Sequence, residues 1–363
     1  MFILAMTEMI DRVRFIDLDG LSAIQVVFLG LIGGTLSGFI GSGGAFFMTP
    51  GMMNLGVPGA IAVGTNITHK FGKALMGSRA HGEMGHVDRL LGLSLLVTAA
   101  VGIRLAVWLN TSVFGMKKGE ASSPAGDLYI SLIFVCVLSI VAVMILRDAL
   151  RSQEGDEGPN TKLAEWFGRI RVPPMLYFRV ADVKVSGWVV GAVGLATGYL
   201  AGTIGVGGFI GVPAMIYVFG IPTAVAAGTE LYLAMFMGAW GAINYAWQGS
   251  VDIRLTMLLY LGSLTGIYIG AYGTKVVKEK MIRIVTGLII LLCVVSRAIA
   301  IPMYLRQLDL VALSPSWDRY FNGTSKAFLF VSGISGVAVI LYAVAKAYLR
   351  RQRIQASLAA IQR

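Results

Sequence analysis

One pattern occurs twice in this chain at a fixed separation. Residues 30–44 (GLIGGTLSGFIGSGG) align without a gap on residues 194–208 (GLATGYLAGTIGVGG), 164 positions further on. The same offset lays Gly56 and Pro58 on Gly220 and Pro222, and Gly64 with Thr65 on Gly228 with Thr229. It continues through Gly77 and Gly241, Gly85 and Gly249, and Val87 with Asp88 and Val251 with Asp252. Roughly 15 of the 36 positions from 30 to 65 are identical in this comparison. A common apolar bias would not keep Gly and Pro in register, so the chain reads as two copies of one unit.

Composition says what surrounds each unit. Hydrophobic residues make up 56% of the 363 and charged residues 13%, whereas a soluble globule needs roughly a quarter of its residues charged to cover its surface. Most of the surface therefore faces something other than water, which excludes a disordered scaffold, a disulfide framework and a typical soluble enzyme. Crossing about 30 Å of hydrocarbon takes about 20 helical residues. Spans are expected near 21–41, 58–80, 89–110, 127–148, 185–204, 221–247, 254–274, 281–304 and 326–349. The expected fold is an all-α polytopic membrane protein with about 8–9 transmembrane helices in two homologous repeats. Its expected organisation is an interfacial lead-in (1–20), repeat 1 (21–148), a charged linker (149–184), repeat 2 (185–304), and a polar loop, extra helix and basic tail (305–363).

The net charge of +11 is distributed between the apolar segments, at Arg147, Arg151, Lys162, Arg169, Arg171, Arg179 and Lys184, at Lys275, Lys278, Lys280 and Arg283, and at Arg350, Arg351 and Arg353. That placement suits loops beside anionic lipid and excludes a nucleic-acid-binding face. The basic linker belongs on the cytoplasmic side. Strict alternation of the spans from there would put the 275–283 loop and the tail on the other side, so the charge rule conflicts with itself. Cys136 and Cys293 sit in apolar runs without a CxxC partner and read as packing residues.

Within each copy a glycine cluster ends a span: Gly41, Gly43 and Gly44 in the first, Gly205, Gly207 and Gly208 in the second. An apolar stretch too short to cross follows, at 45–55 and 209–219, with Pro50 and Pro213 inside. This predicts a helix interrupted at membrane depth and a re-entrant half-helix, backbone that survives there only under protein or a watery cavity. The amides freed at such a break, with the positive end of the helix dipole, suit an anion. Gly30, Gly34, Gly38, Gly194, Gly198 and Gly202, spaced by four, read instead as a helix-packing stripe.

Ionisable groups inside spans are costly and therefore functional candidates. Thr65, Asn66, His69, Lys70 and Lys73 follow Pro58, with the last four near one helical face. They read either as a pathway for negative charge or, for the lysines, as side chains reaching an interface. Asn66 is matched in the second copy by Glu230, a carboxylate in apolar surroundings that is either a proton-coupling group or the ion-pair partner of Lys70 or Lys73. Asn244 lies near the same face. Arg104 and Arg297 are read as snorkelling toward helix ends. His69, His81 and His86 cluster in sequence, but HGEMGHVD lacks metal-ligand spacing and reads as a turn, so no metal and no cofactor is expected. No catalytic arrangement is present.

The duplicated GFIGSGGAFFMTP … GVPGAIAVGT and GTIGVGGFIGVP … GIPTAVAAGT, over roughly residues 25–300, resemble the TauE/SafE sulfite-exporter family, the toluene-sulfonate uptake permeases. The resemblance implies a multi-pass inner-membrane permease, not an enzyme, for small sulfur-containing anions such as sulfite or sulfonates, driven by proton motive force. On this reading Gly41, Gly43, Gly44, Gly205, Gly207 and Gly208 supply backbone amides, Thr65 and Thr229 side-chain donors, Asn66 and Lys70 hold the anion, and Glu230 couples protons. The partners are the anion and the lipid bilayer, compatible with a homodimer. A channel, a divalent-metal carrier, a membrane enzyme and a receptor are the alternatives. The charged linker, the HGEMGHVD turn, Asn66 against Glu230 and the final span depart from the shorter members.

Overall fold

The computed structural model describes residues 19–40, 44–115, 123–151, 162–169, 172–205, 207–277 and 279–361. The first half contains α1 (Gly20–Ile40), α2 (Ala45–Asn54), α3 (Gly59–Glu83), α4 (Arg89–Trp108, extended by a π turn over Leu109–Val113) and α5 (Pro124–Arg151). Then come α6 (Lys162–Gly168), strands β1 (Met175–Phe178) and β2 (Val183–Ser186), α7 (Gly187–Ile204), α8 (Gly208–Phe219), α9 (Thr223–Trp247), α10 (Ile253–Val276), α11 (Glu279–Gln307) and α12 (Trp317–Ile361). Among the described residues seven helices are long and apolar enough to cross a membrane: α1, α4 with its π turn, α5, α7, α10, α11 and α12. The chain is a mainly helical, multi-pass membrane protein. Two further expected spans correspond to α3 and α9, which carry the polar residues and are not among those seven.

The 149–184 segment carries α6 and most of a small antiparallel hairpin that pairs Met175 with Ser186. The hairpin is tied down by Asp88, whose Oδ2 accepts from the backbone N–H groups of Val180 (2.9 Å) and Ala181 (3.2 Å) while Oδ1 caps Leu91 N (3.1 Å). In the hairpin, the Tyr177 hydroxyl donates to Asp182 Oδ1 at 2.7 Å, and this bond raises the phenol above its usual range. The polar stretch 305–325 is mostly helical, because α11 runs to Gln307 and α12 starts at Trp317. Arg306 Nε donates to Asp318 Oδ1 at 2.7 Å across the 308–316 connection, which pairs these two charges.

The glycine stripes determine how the long helices pair. Gly30, Gly34 and Gly38 of α1 lie against the backbone of α10 at Leu259, Ser263 and Ile267, and a Cβ on Gly34 would stand 2.4 Å from the Ser263 carbonyl oxygen. Gly194, Gly198 and Gly202 of α7 lie in the same way against Leu95, Ala99 and Ile103 of α4. Every residue in the second set is 164 removed from its counterpart in the first. Each first helix therefore packs on the fourth helix of the other half, at backbone contact that any side chain would prevent. Gly262, Gly266 and Gly270 of α10 complete the α1 contact from the other side.

These contacts also fix the direction of each helix. α1 runs parallel to α10 and α4 parallel to α7, since residue numbers rise together along both pairs. α3 and α9 are antiparallel, with Gly77 against Leu231 and Gly241 against Ile67. So are α5 and α11, linked by Arg283 Nη1 to Asp148 Oδ2 at 3.0 Å, and α11 and α12, joined through Ser296 and Ser325. The half-helix α2 folds back on α1, with Gly44 against the Gly33 carbonyl and Gly51 against Leu29.

The half-helices resolve the charge conflict. α2 and α8 each return the chain to the face it came from, so α7 and α9 start at one face and simple alternation miscounts by one crossing per half. With that correction α5 ends, α7 and α9 begin, α10 ends, α11 begins and α12 ends at the same face as the hairpin. The basic segments after α5, between α10 and α11, and at the end of α12 therefore share one side, as the positive-inside rule requires of a cytoplasmic face. In a background lacking Cys136 and Cys293, Ser314→Cys should react with a membrane-impermeant maleimide in intact cells. Lys184→Cys should react only after permeabilisation; labelling of both from one side would refute this helix course.

Candidate functional site

Both chain breaks lie inside the bundle. α1 ends at Ile40 and α2 begins at Ala45; Gly41 and Gly43 lie outside the described residues, while Gly44 is buried as the N-cap of α2. In the second half Gly205 adopts a left-handed conformation (φ +75°) that ends α7, Gly207 caps α8 and Gly208 is its first residue. A residue with a Cβ is strained at that φ.

The two breaks are stitched to each other. Thr49, in the first turns of α2, donates through Oγ1 to the carbonyl of Ile204, the last residue of α7, at 3.0 Å. Asn66 Nδ2 donates to Thr49 Oγ1 (2.8 Å) and to the Ala45 carbonyl (3.0 Å). Its amide nitrogen is thus committed to protein, and its buried Oδ1 is left without a partner. A Cβ on Gly205 would stand 3.0 Å from Thr49 Oγ1 and 3.1 Å from Asn66 Nδ2.

Beside this stitch lies an ion pair. Lys70 Nζ and Glu230 Oε1 are 3.8 Å apart, and the residues are 9% and 1% exposed. Neither Glu230 oxygen has a hydrogen-bond partner. Gly207 and Gly211 leave the space the pair occupies: a Cβ on Gly207 would stand 2.8 Å from Lys70 Nζ, and one on Gly211 2.0 Å from Glu230 Oε2. The structure thus brings together Asn66, Lys70, Glu230, Gly205 and Gly207, with Gly208 opening α8 beside them. Thr49 and Gly211 are additions that inspection of the chain missed. Neither is matched across the 164-residue offset, which lays Pro213 on Thr49 and Phe47 on Gly211, so the repeat could not flag them.

Thr65 and Thr229 are engaged elsewhere. Thr65 Oγ1 accepts from Asp252 N at 3.2 Å, and Thr229 Oγ1 from Asp88 N at 3.0 Å. Each Gly–Thr pair receives the turn of the opposite half, with Gly64 against the Ser250 carbonyl and Gly228 against the His86 carbonyl. His69 faces Ser263, with Nε2 and Oγ 2.7 Å apart, and Lys73 is half-buried. Asn244 Oδ1 accepts from the exposed Arg104 at 2.8 Å. Arg297 does not reach an interface as expected: it is 1% exposed and held by the Tyr304 hydroxyl at 2.8 Å. Among the described residues no three His, Cys, Asp or Glu converge on a metal-sized space.

A bundle of apolar helices around buried, opposed charges at broken backbone is the architecture of a membrane transporter. The chain belongs to the family described as Sulfite exporter TauE/SafE, which matches residues 26–297. It is similar to the Probable membrane transporter protein YjnA of Bacillus subtilis (strain 168), 25% identical over 272 residues, covering 74% of this chain and 97% of that protein. YunE of the same organism, also named a probable membrane transporter protein, is 24% identical over 285 residues, 75% of this chain and 96% of its own. A Probable membrane transporter protein of Xylella fastidiosa (strain 9a5c) is 28% identical over 248 residues, 68% and 80% of the two chains. No solved structure matches. The family and these names indicate a transporter rather than an enzyme.

Thr65→Val and Thr229→Val each leave the amide of a buried aspartate without its acceptor. Each should lower stability by about 1–3 kcal/mol, read as a reduced Tm of the detergent-purified protein. An unchanged Tm in both would mean that these bonds do not hold the halves together.

Proposed function

We propose that this protein is a secondary transporter that moves a small sulfur oxyanion, sulfite or a sulfonate, by alternating access between two inverted copies of one five-helix unit. The observation that carries the reading is the buried Lys70–Glu230 pair beside the N-terminus of α8. An anion leaving water loses several kcal/mol of hydration unless fixed dipoles and a cation replace it, and Lys70 with the first amides of α8 offers both. The family description supplies the sulfur chemistry. We read residues 21–148 and 185–304 as the two moving units and 149–184 as their cytoplasmic linker.

Glu230 is the coupling group on this reading. Its two oxygens and Asn66 Oδ1 are three buried acceptors without donors, a set that takes up a proton more readily than a second anion. Protonation of Glu230 would free the Lys70 charge for the substrate, tying anion and proton movement to one event. The charged group beside it is Lys70 from α3, while His69 is turned to Ser263 and α8 contributes glycine backbone.

In proteoliposomes, labelled sulfite should accumulate under a pH gradient. Lys70→Gln should reduce uptake at least about tenfold. Glu230→Gln should abolish dependence on the pH gradient while sparing sulfite–sulfite counterflow. Unchanged proton coupling in Glu230→Gln would remove this residue from the mechanism, and an absence of flux for sulfite, sulfate and sulfonates alike would reject the anion.

A further inference from the structure

The anion-binding position already holds a negative group, and that group is part of the chain. Glu230 is 1% exposed, with neither carboxylate oxygen hydrogen-bonded. Its Oε2 lies where a side chain at Gly211 would begin, 2.0 Å from that Cβ position. It therefore lies against the first turn of α8, where Ile210 N and Gly211 N fold back to the Gly207 carbonyl at 3.1 Å each and Gly208 leads the helix. Lys70 Nζ, 3.8 Å from Oε1, is beyond the roughly 2.7–2.9 Å of a committed charge-assisted bond. The carboxylate is ion-paired with a cation and lies at a helix N-terminus, with a hydrogen bond to neither.

We propose that Glu230 is a tethered stand-in for the substrate: its carboxylate occupies the anion seat, and the transported species binds by displacing it. This rests on the reading of the Lys70–α8 position as the anion site and specifies what the site accepts. The ligand is a small oxyanion with at least one face the size of a carboxylate, able to lie against glycine backbone and within reach of one ammonium. Bulkier anions have to displace the walls as well as Glu230, and those walls are Gly207 and Gly211 backbone.

The seat is single. Across the 164-residue offset Glu230 is matched by Asn66, Lys70 by Ala234 and Gly211 by Phe47. The other half thus lacks the carboxylate, the ammonium and the gap that admits them. Its Phe47 is buried with the ring tip against Gly333 of α12, and Asn66 turns its amide to Thr49 and Ala45. One anion per chain and one displaced carboxylate per anion follow.

The test is direct binding of sulfite to the full chain in detergent, by calorimetry at one fixed pH, for the unsubstituted protein, Glu230→Gln and Gly211→Ala. Glu230→Gln removes the competing charge at constant shape. Gly211→Ala keeps Glu230 but places a methyl where its Oε2 lies. Glu230→Gln should bind sulfite about tenfold more tightly than the unsubstituted protein, Gly211→Ala, whose methyl fills the seat itself, at least about tenfold more weakly, and in Glu230→Ala acetate should compete with sulfite for the vacated seat. Equal or weaker binding by Glu230→Gln, with clear binding by the unsubstituted protein, overturns the stand-in while leaving the anion site intact. Binding by none of the proteins overturns the anion site and the stand-in with it.

Discussion

A peptide group inside a bilayer must be hydrogen-bonded by protein, and the rest of this structure follows from two places where the helix fails to do that for itself. α7 stops at Ile204 in the interior, and its terminal carbonyl would be stranded without Thr49, which reaches across from the half-helix of the other half. Asn66 then holds Thr49 and the first carbonyl of α2. Neither break could face lipid, so the surrounding helices enclose both, and in enclosing them they bury Lys70 and Glu230 at the same depth. The polar site is a consequence of the requirement to cover broken backbone.

That enclosure depends on close helix contact, and the contact depends on glycine. The α1–α10 and α4–α7 pairs meet backbone to backbone, with no room for side chains. In the hydrocarbon region there is little hydrophobic force to bring helices together, so this close packing is what specifies the pairing. The Thr65–Asp252 and Thr229–Asp88 bonds and the seating of Gly64 and Gly228 against the opposite turns add a polar specification at each end.

Much of this was visible in the residues. The glycine spacing marked the packing stripes, and the short apolar stretches ending in Gly56 and Gly220 marked the half-helices. Glu230 stood out as a carboxylate in apolar surroundings. What the stripes pack against was not legible, because Gly34 and Ser263 are brought together by topology, not by local pattern. The half-helices were recognised, yet their effect on the crossing count was not, and the basic loops were left on conflicting sides. That Thr65 and Thr229 also accept from turns 187 and 141 residues away was not legible, because a hydroxyl beside a glycine says nothing of such a partner. Arg297 looked free to extend because its burial depends on how α11 packs in the bundle, which its own apolar run does not announce.

The exchanged pairing of first and fourth helices has a further implication. A chain ending after α5 would carry the α1 stripe and the α4 surface with nothing of its own to cover either. The one surface that matches them is that of another such chain threaded through the membrane the opposite way up. Neither set of five helices can therefore cover its own glycine stripe, and severing the chain after α5 would leave two pieces that hold together only by trading these surfaces.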